Sequence, residues 1–176
     1  QLWIGALERI NQAGITKMAA IHRGFSPLSQ SNYRNDPNWK IPVELKRLIP
    51  DLPIICDPSH ISGNRALIEP VSQKAFDLQM EGLMIETHLD PDNAWSDAKQ
   101  QVTPAALHSI LDRIVWRQPE SKDAGFVKNI EILRSQIDEV DEDLVNLLAL
   151  RMNIVDEIAE SKKISNVTIL QVGRYE

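Results

Sequence analysis

Pro53-Ile54-Ile55-Cys56-Asp57-Pro58-Ser59-His60 joins a short β-branched run to a cluster of polar residues around a second proline. A run of this length between prolines reads as a buried strand at 53–56, and it delivers Asp57 and His60 to its C-terminal end. The same pattern flanks it on both sides. A run at 17–21 leads into Ile21-His22-Arg23-Gly24, and one at 82–86 leads into Ile85-Glu86-Thr87-His88. A further apolar run at 2–6 reads as a strand too. Helical stretches follow at 7–13, 42–48, 65–79 and 103–115, the last opening on Thr103-Pro104, a cap followed by a first-turn proline. Strands alternating with helices argue an α/β fold with a parallel sheet and crossover helices. Four βα units amount to the C-terminal half of a (β/α)8 TIM barrel. An open four-stranded sheet would carry two long unpaired edges, so the remaining strands are expected upstream of Gln1. The alternative is a small open α/β sheet.

The pattern changes after residue 115. Residues 116–125, with Gln118-Pro119-Glu120-Ser121-Lys122-Asp123, read as a linker. A helix is expected over 126–163, with apolar residues in a three-four rhythm at Ile130, Leu133, Ile137, Val140, Leu144, Leu147, Ile154 and Ile158. At about 1.5 Å per residue it extends beyond ~50 Å, and its seam calls for a partner. The division expected is therefore 1–115, a linker at 116–125, and an all-α domain at 126–176. A loop at 166–170 precedes the start of another helix, so the chain reads as cut at both ends, Gln1 being no ordinary start.

Composition narrows the function. The 176 residues are 43% hydrophobic with a net charge of -6 and a pI near 5.3. Scattered Lys and Arg form no basic stripe for nucleic acid, and no apolar run approaches the ~20 residues that cross a bilayer. The single cysteine, Cys56, makes no internal disulfide, and no signal segment opens the chain, so a reducing cytoplasm is the expected compartment. Cys56 itself reads as a small buried hydrophobe.

Polar residues at the C-terminal ends of barrel strands form an active-site rim. His60 and Glu86 are separated by a helix, and Asp97 follows on the next loop, so the three can converge above the sheet. One imidazole and two carboxylates suit a divalent cation such as Mn, Fe, Co or Zn. The plain alternative makes His60 a helix cap and leaves both acids solvated. On the long helix Arg151 falls where the heptad expects an apolar residue, which is costly without a partner. It either fixes register or binds an anion. Lys162, ~20° round the helix and ~16 Å along it, can reach toward the same ligand.

Asp57-Pro58-Ser59-His60, Ile85-Glu86-Thr87-His88 and Ser96-Asp97-Ala98-Lys99-Gln100 resemble, in order and spacing, the motifs of the DAHP (3-deoxy-D-arabino-heptulosonate 7-phosphate) synthases. The likeness is to the small-barrel type, which is similar to KDO 8-phosphate synthase. The resemblance implies metal ligands at His60, Glu86 and Asp97, with the family's fourth ligand, a cysteine, expected before Gln1. It also implies a phosphoenolpyruvate phosphate held by Arg23, which would otherwise make a surface salt bridge, and a second layer of the metal site at His88. The reaction implied condenses phosphoenolpyruvate with erythrose 4-phosphate. Leu133-Arg134, Ala149-Leu150-Arg151 and Lys162 resemble the first helix of the all-helical type II chorismate mutases. That resemblance implies chorismate held by Arg134, Arg151, Lys162 and Arg174, with Arg151 and Lys162 catalytic. Gln171 stands where that family often has an acid, with Glu176 displaced beyond it. Such a mutase needs no cofactor, only fixed cations around the substrate. Arg134 lies ~25 Å and about 100° from Arg151 on one helix, too far for one chorismate, so a homodimer with shared sites is expected. The expectation is a bifunctional enzyme. The alternatives are a synthase whose helical part senses chorismate or prephenate, and KDO 8-phosphate synthase.

Overall fold

The computed structural model describes residues 2–27 and 30–168. The chain divides into two compact units, Gln1–Pro119 and Glu120–Glu176.

The first unit is built on a parallel sheet of three strands, β1 (Ala20–His22), β2 (Ile54–Cys56) and β3 (Gly82–Leu83), in the order β1-β2-β3. Ala20 pairs with Ile54 and Ile55 with Gly82. Helix α1 (Leu2–Gln12) precedes the sheet. Helix α2 (Lys40–Leu48) links β1 to β2, α3 (Pro58–Ser62) and α4 (Arg65–Asp77) link β2 to β3, and α5 (Pro104–Arg113) follows. A 3-10 turn at Pro91–Asn93 lies between β3 and α5. Alternation along β1 and β2 sends Ala20, Ile54 and Cys56 into a core with Leu7, Leu45, Ile61, Val71 and Ala75. Burial of each large aliphatic side chain contributes about 1.5–3 kcal/mol. A second cluster joins Ile68 and Phe76 of α4 to Val102, Ile110 and Ile114. Ile21, one residue out of phase, lies exposed on the opposite face.

Two expectations are corrected. Residues 2–6 form the start of α1 rather than a strand, leaving three strands instead of four. Leu7 is buried, with Trp3 and Ile4, four and three residues before it, packed against the same cluster, the spacing of one helix face. The run at 82–86 yields a strand of two residues. Its neighbour β2 ends at Cys56, and Pro58 opens α3, so the Glu86 amide finds the Ser59 hydroxyl in place of a strand carbonyl. The short helix α3 was not anticipated, although Asp57-Pro58 carries its signal: an aspartate cap and a first-turn proline.

The second unit is dominated by α6 (Ala124–Ile164), 41 residues capped by the Asp123 carboxylate, which accepts from the amides of Gly125 and Phe126. At 1.5 Å per residue this helix is roughly 60 Å long. No described side chain along it is buried, and Ile137, Val140, Leu144 and Leu147 of the apolar seam are all exposed. Among the described residues no helix is long and apolar enough to cross a membrane.

Candidate metal centre

Asp57, with 1% of its side chain exposed, organises the loop that leaves β2. One carboxylate oxygen accepts from the His60 amide at 3.0 Å and the other faces His60 Nδ1 at 2.7 Å. A carboxylate acceptor keeps the proton on Nδ1 and leaves the Nε2 lone pair facing outward. Nε2 points toward Glu86, 3.4 Å from its Oε1. Glu86 is aimed by its own backbone, whose N–H donates to the buried Ser59 hydroxyl at 3.0 Å. Asp97 comes from the loop beyond, at a left-handed φ of 50° that aspartate tolerates better than most residues. One donor atom from each of His60, Glu86 and Asp97 lies within 4.8 Å of the others. His60 is 15% exposed and the acids about twice that, Glu86 at 30% and Asp97 at 32%.

The donor set fits a divalent ion. Bonds of roughly 2.0–2.2 Å to nitrogen and oxygen place ligand atoms about 3–4.4 Å from one another around a common centre. An imidazole with two carboxylates is a borderline-hard set suited to the first-row metals.

Cations surround this acidic centre. Arg23 reaches Asp57 Oδ2 with Nε at 3.3 Å and is otherwise 56% exposed. Arg34 donates from one guanidinium nitrogen to Asp97 Oδ1 and to Gln100 Oε1, both at 2.6 Å. The Gln100 amide nitrogen in turn donates to Glu86 Oε2 at 2.8 Å. The segment carrying Arg34 is fastened to α3. The Arg34 and Asn35 amides donate to the carbonyls of Ser62 and Ile61, and the Asn35 side chain to the carbonyl of His60. Gly63 permits this approach. It ends α3 at a φ of +61°, and a Cβ there would lie 2.6 Å from Arg34 Cβ. Asp57, Ser59, Arg34 and Gln100 escaped the sequence reading. Asp57, Ser59 and Gln100 sit inside quoted motifs without a role assigned to them, whereas nothing in the sequence tied Arg34 to Asp97, 63 residues away.

Among the described residues of the first unit, His88, Cys56 and His22 add no donor atom to this cluster. His88 is exposed, and its Nδ1 accepts from the Asp90 amide at 3.0 Å. Cys56 is fully buried in the core, and burial pushes its thiol up to about 12. His22 is also fully buried, its ring beside Phe25 and Trp39, with neither nitrogen hydrogen-bonded. Burial pushes it down to about 4, against the weaker pull of the Pro37 carbonyl and the Asp57 carboxylate. The Pro37 carbonyl is near enough to favour a proton but not placed for a hydrogen bond. On α6, Arg134 and Arg151 are exposed and Lys162 is half-buried. Arg174, Gln171 and Glu176 lie outside the described residues.

Comparison with known proteins shows the family. Residues 1–121 match the DAHP synthetase I family, and residues 133–176 match chorismate mutase type II. The phospho-2-dehydro-3-deoxyheptonate aldolase of Thermotoga maritima is 33% identical over 95 residues, which are 54% of this chain and 28% of that protein. A 2-dehydro-3-deoxyphosphooctonate aldolase of Desulfotalea psychrophila is 26% identical over 125 residues, 62% of this chain and 41% of that protein. Among solved structures, a truncated form of 3-deoxy-D-arabino-heptulosonate 7-phosphate synthase from Thermotoga maritima superposes with a TM-score of 0.52 at 30% identity. The superposition covers 60% of this chain and 39% of that one. The chain thus spans less than half the length of these relatives. Divalent metals are general in the synthase family. With a family match over residues 1–121 and a second, distinct match over 133–176, this chain belongs to the DAHP synthetase I family and carries, fused to it, a segment of the type II chorismate mutases.

Proposed function

We propose that the chain contributes to two reactions: the metal-dependent condensation of phosphoenolpyruvate with erythrose 4-phosphate to DAHP, and the rearrangement of chorismate to prephenate. The first step of the shikimate pathway and a later one would then share a polypeptide. Residues 1–115 serve as the C-terminal half of the synthase barrel, 116–125 as linker, and 126–176 as the first part of the mutase. The exposed sheet face carrying Ile21 supports further strands closing over it.

One observation carries the synthase reading: His60, Glu86 and Asp97 bring donor atoms within 4.8 Å of one another beyond the C-terminal ends of parallel strands, where α/β barrels place their chemistry. These three residues hold a Mn, Fe, Co or Zn ion. When bound, that ion would supply Lewis-acid polarisation of the aldehyde oxygen, toward which the enol carbon of phosphoenolpyruvate would form its bond as water is taken up and inorganic phosphate released. The chain's own residues orient the reactants. Asp57 holds the Nδ1 proton of His60 and fixes the ring. Arg23, exposed beyond its contact with Asp57, binds the phosphate of phosphoenolpyruvate through its planar guanidinium.

For the mutase, Arg134, Arg151, Lys162 and Arg174 bind chorismate, Arg151 and Lys162 stabilising charge on the breaking ether oxygen. Arg134 and Arg151 lie ~25 Å apart on α6, so each site draws on two chains of a homodimer. The exposed apolar seam of α6 supports such pairing. The protein acts in the cytoplasm on small molecules, without nucleic acid or membrane.

Paired assays on the full-length protein test this reading. DAHP formation should stop with EDTA and return with Mn2+, while prephenate formation should ignore the chelator. Chorismate binding without turnover would make the helical unit a sensor of chorismate or prephenate rather than a mutase. Failure to use erythrose 4-phosphate would reject the synthase and return KDO 8-phosphate synthase to consideration.

A further inference from the structure

The geometry points to Gln100 as a positioning residue that sets both carboxylate arms of the metal centre, an inference that rests on His60, Glu86 and Asp97 being the ligands. Gln100 is 1% exposed, and a buried amide is costly unless its hydrogen bonds are made. Both ends of this one are used. Arg34 can only donate and an ionised Glu86 can only accept, so a single amide orientation satisfies both. Oε1 takes the Arg34 guanidinium at 2.6 Å and Nε2 donates to Glu86 Oε2 at 2.8 Å. Reversing the amide would set donor against donor and acceptor against acceptor.

That orientation decides which Glu86 oxygen is free. Oε2 is occupied by Gln100, and Oε1 faces His60 Nε2. The Arg34 nitrogen that anchors Gln100 also holds Asp97 Oδ1, and the Gln100 backbone N–H closes a turn onto the Asp97 carbonyl at 3.0 Å. Gln100 therefore joins the two acidic ligands, which would repel each other and spread apart if nothing held them. A leucine would fill nearly the same volume without a polar group to satisfy, so packing alone gives no reason for glutamine here. Groups that orient metal ligands in this way typically change metal affinity 10- to 100-fold when removed.

The test is Mn2+ binding by the full chain, read by electron paramagnetic resonance of the free ion, together with the visible spectrum of bound Co2+. Gln100→Leu should raise the Mn2+ Kd about 10- to 100-fold and alter the cobalt spectrum, while far-UV circular dichroism stays that of the wild type. Wild-type Kd and cobalt spectrum in a folded Gln100→Leu chain overturn the role of Gln100 alone. A wild-type chain that binds no Mn2+, or a His60→Ala chain that binds it as tightly as wild type, overturns the ligand reading and this inference with it. Should Gln100→Leu fail to fold, the structure of the Zn2+-loaded wild type decides. Gln100 Nε2 within about 3.2 Å of a Glu86 oxygen supports the assignment, and a Glu86 held by some other donor overturns it.

Discussion

Lowering the pH should destabilise the first unit through His22. Its ring is fully buried among aromatic side chains without a hydrogen-bond partner, and burial lowers it from 6.5 to about 4. The native state therefore refuses a proton that the unfolded chain accepts. Stability contributed by the neutral ring is fully present above pH 6.5 and is lost as pH falls toward the native value near 4. Each pH unit in that window is worth about 1.36 kcal/mol, so between pH 7.5 and 4.5 the loss from His22 alone is on the order of 2–3 kcal/mol. All four tryptophans, Trp3, Trp39, Trp95 and Trp116, lie in the first unit, so their fluorescence in urea reports its unfolding without interference from α6. His22→Met, similar in volume and unable to titrate, should lose roughly 2–3 kcal/mol less than wild type over that interval. Parallel pH profiles for the two proteins would refute the reasoning.

Two further outcomes follow from geometry. Gly63→Ala should cost roughly 1–3 kcal/mol from its left-handed backbone, and more if Arg34 must shift, because the new Cβ meets Arg34 Cβ at 2.6 Å; urea unfolding followed by tryptophan fluorescence checks it. Mixing mutase-inactive Arg134→Ala and Arg151→Ala full-length chains should restore part of the prephenate-forming activity. Each mixed dimer would regain one intact site, and no recovery despite proven subunit exchange would count against a shared site.

The parallel sheet and the convergence of His60, Glu86 and Asp97 could be foreseen because each depends on local pattern: β-branched runs, turn residues, and polar side chains where strands end. The long helix was legible for the same reason, its apolar rhythm persisting over many turns. Residues 2–6 misled because Leu2-Trp3-Ile4 is too short a run to show its period; the phase appears only once Leu7 meets the core. The Arg34–Gln100–Glu86 chain was invisible because it joins residues from three separate loops. No local propensity records such contacts, and only the assembled fold supplies them. His22 was quoted for its place at a strand end, yet alternation along β1 turns it into the core while Arg23 reaches the rim.

The central claim is that His60, Glu86 and Asp97 hold the metal on which DAHP formation depends. The most direct measurement is metal content and both activities of full-length wild type and His60→Ala, after dialysis against Mn2+ and removal of the free ion. Wild type should retain stoichiometric metal and form DAHP, whereas His60→Ala should retain none and form none, with prephenate formation unchanged. Full metal occupancy in His60→Ala would contradict the account.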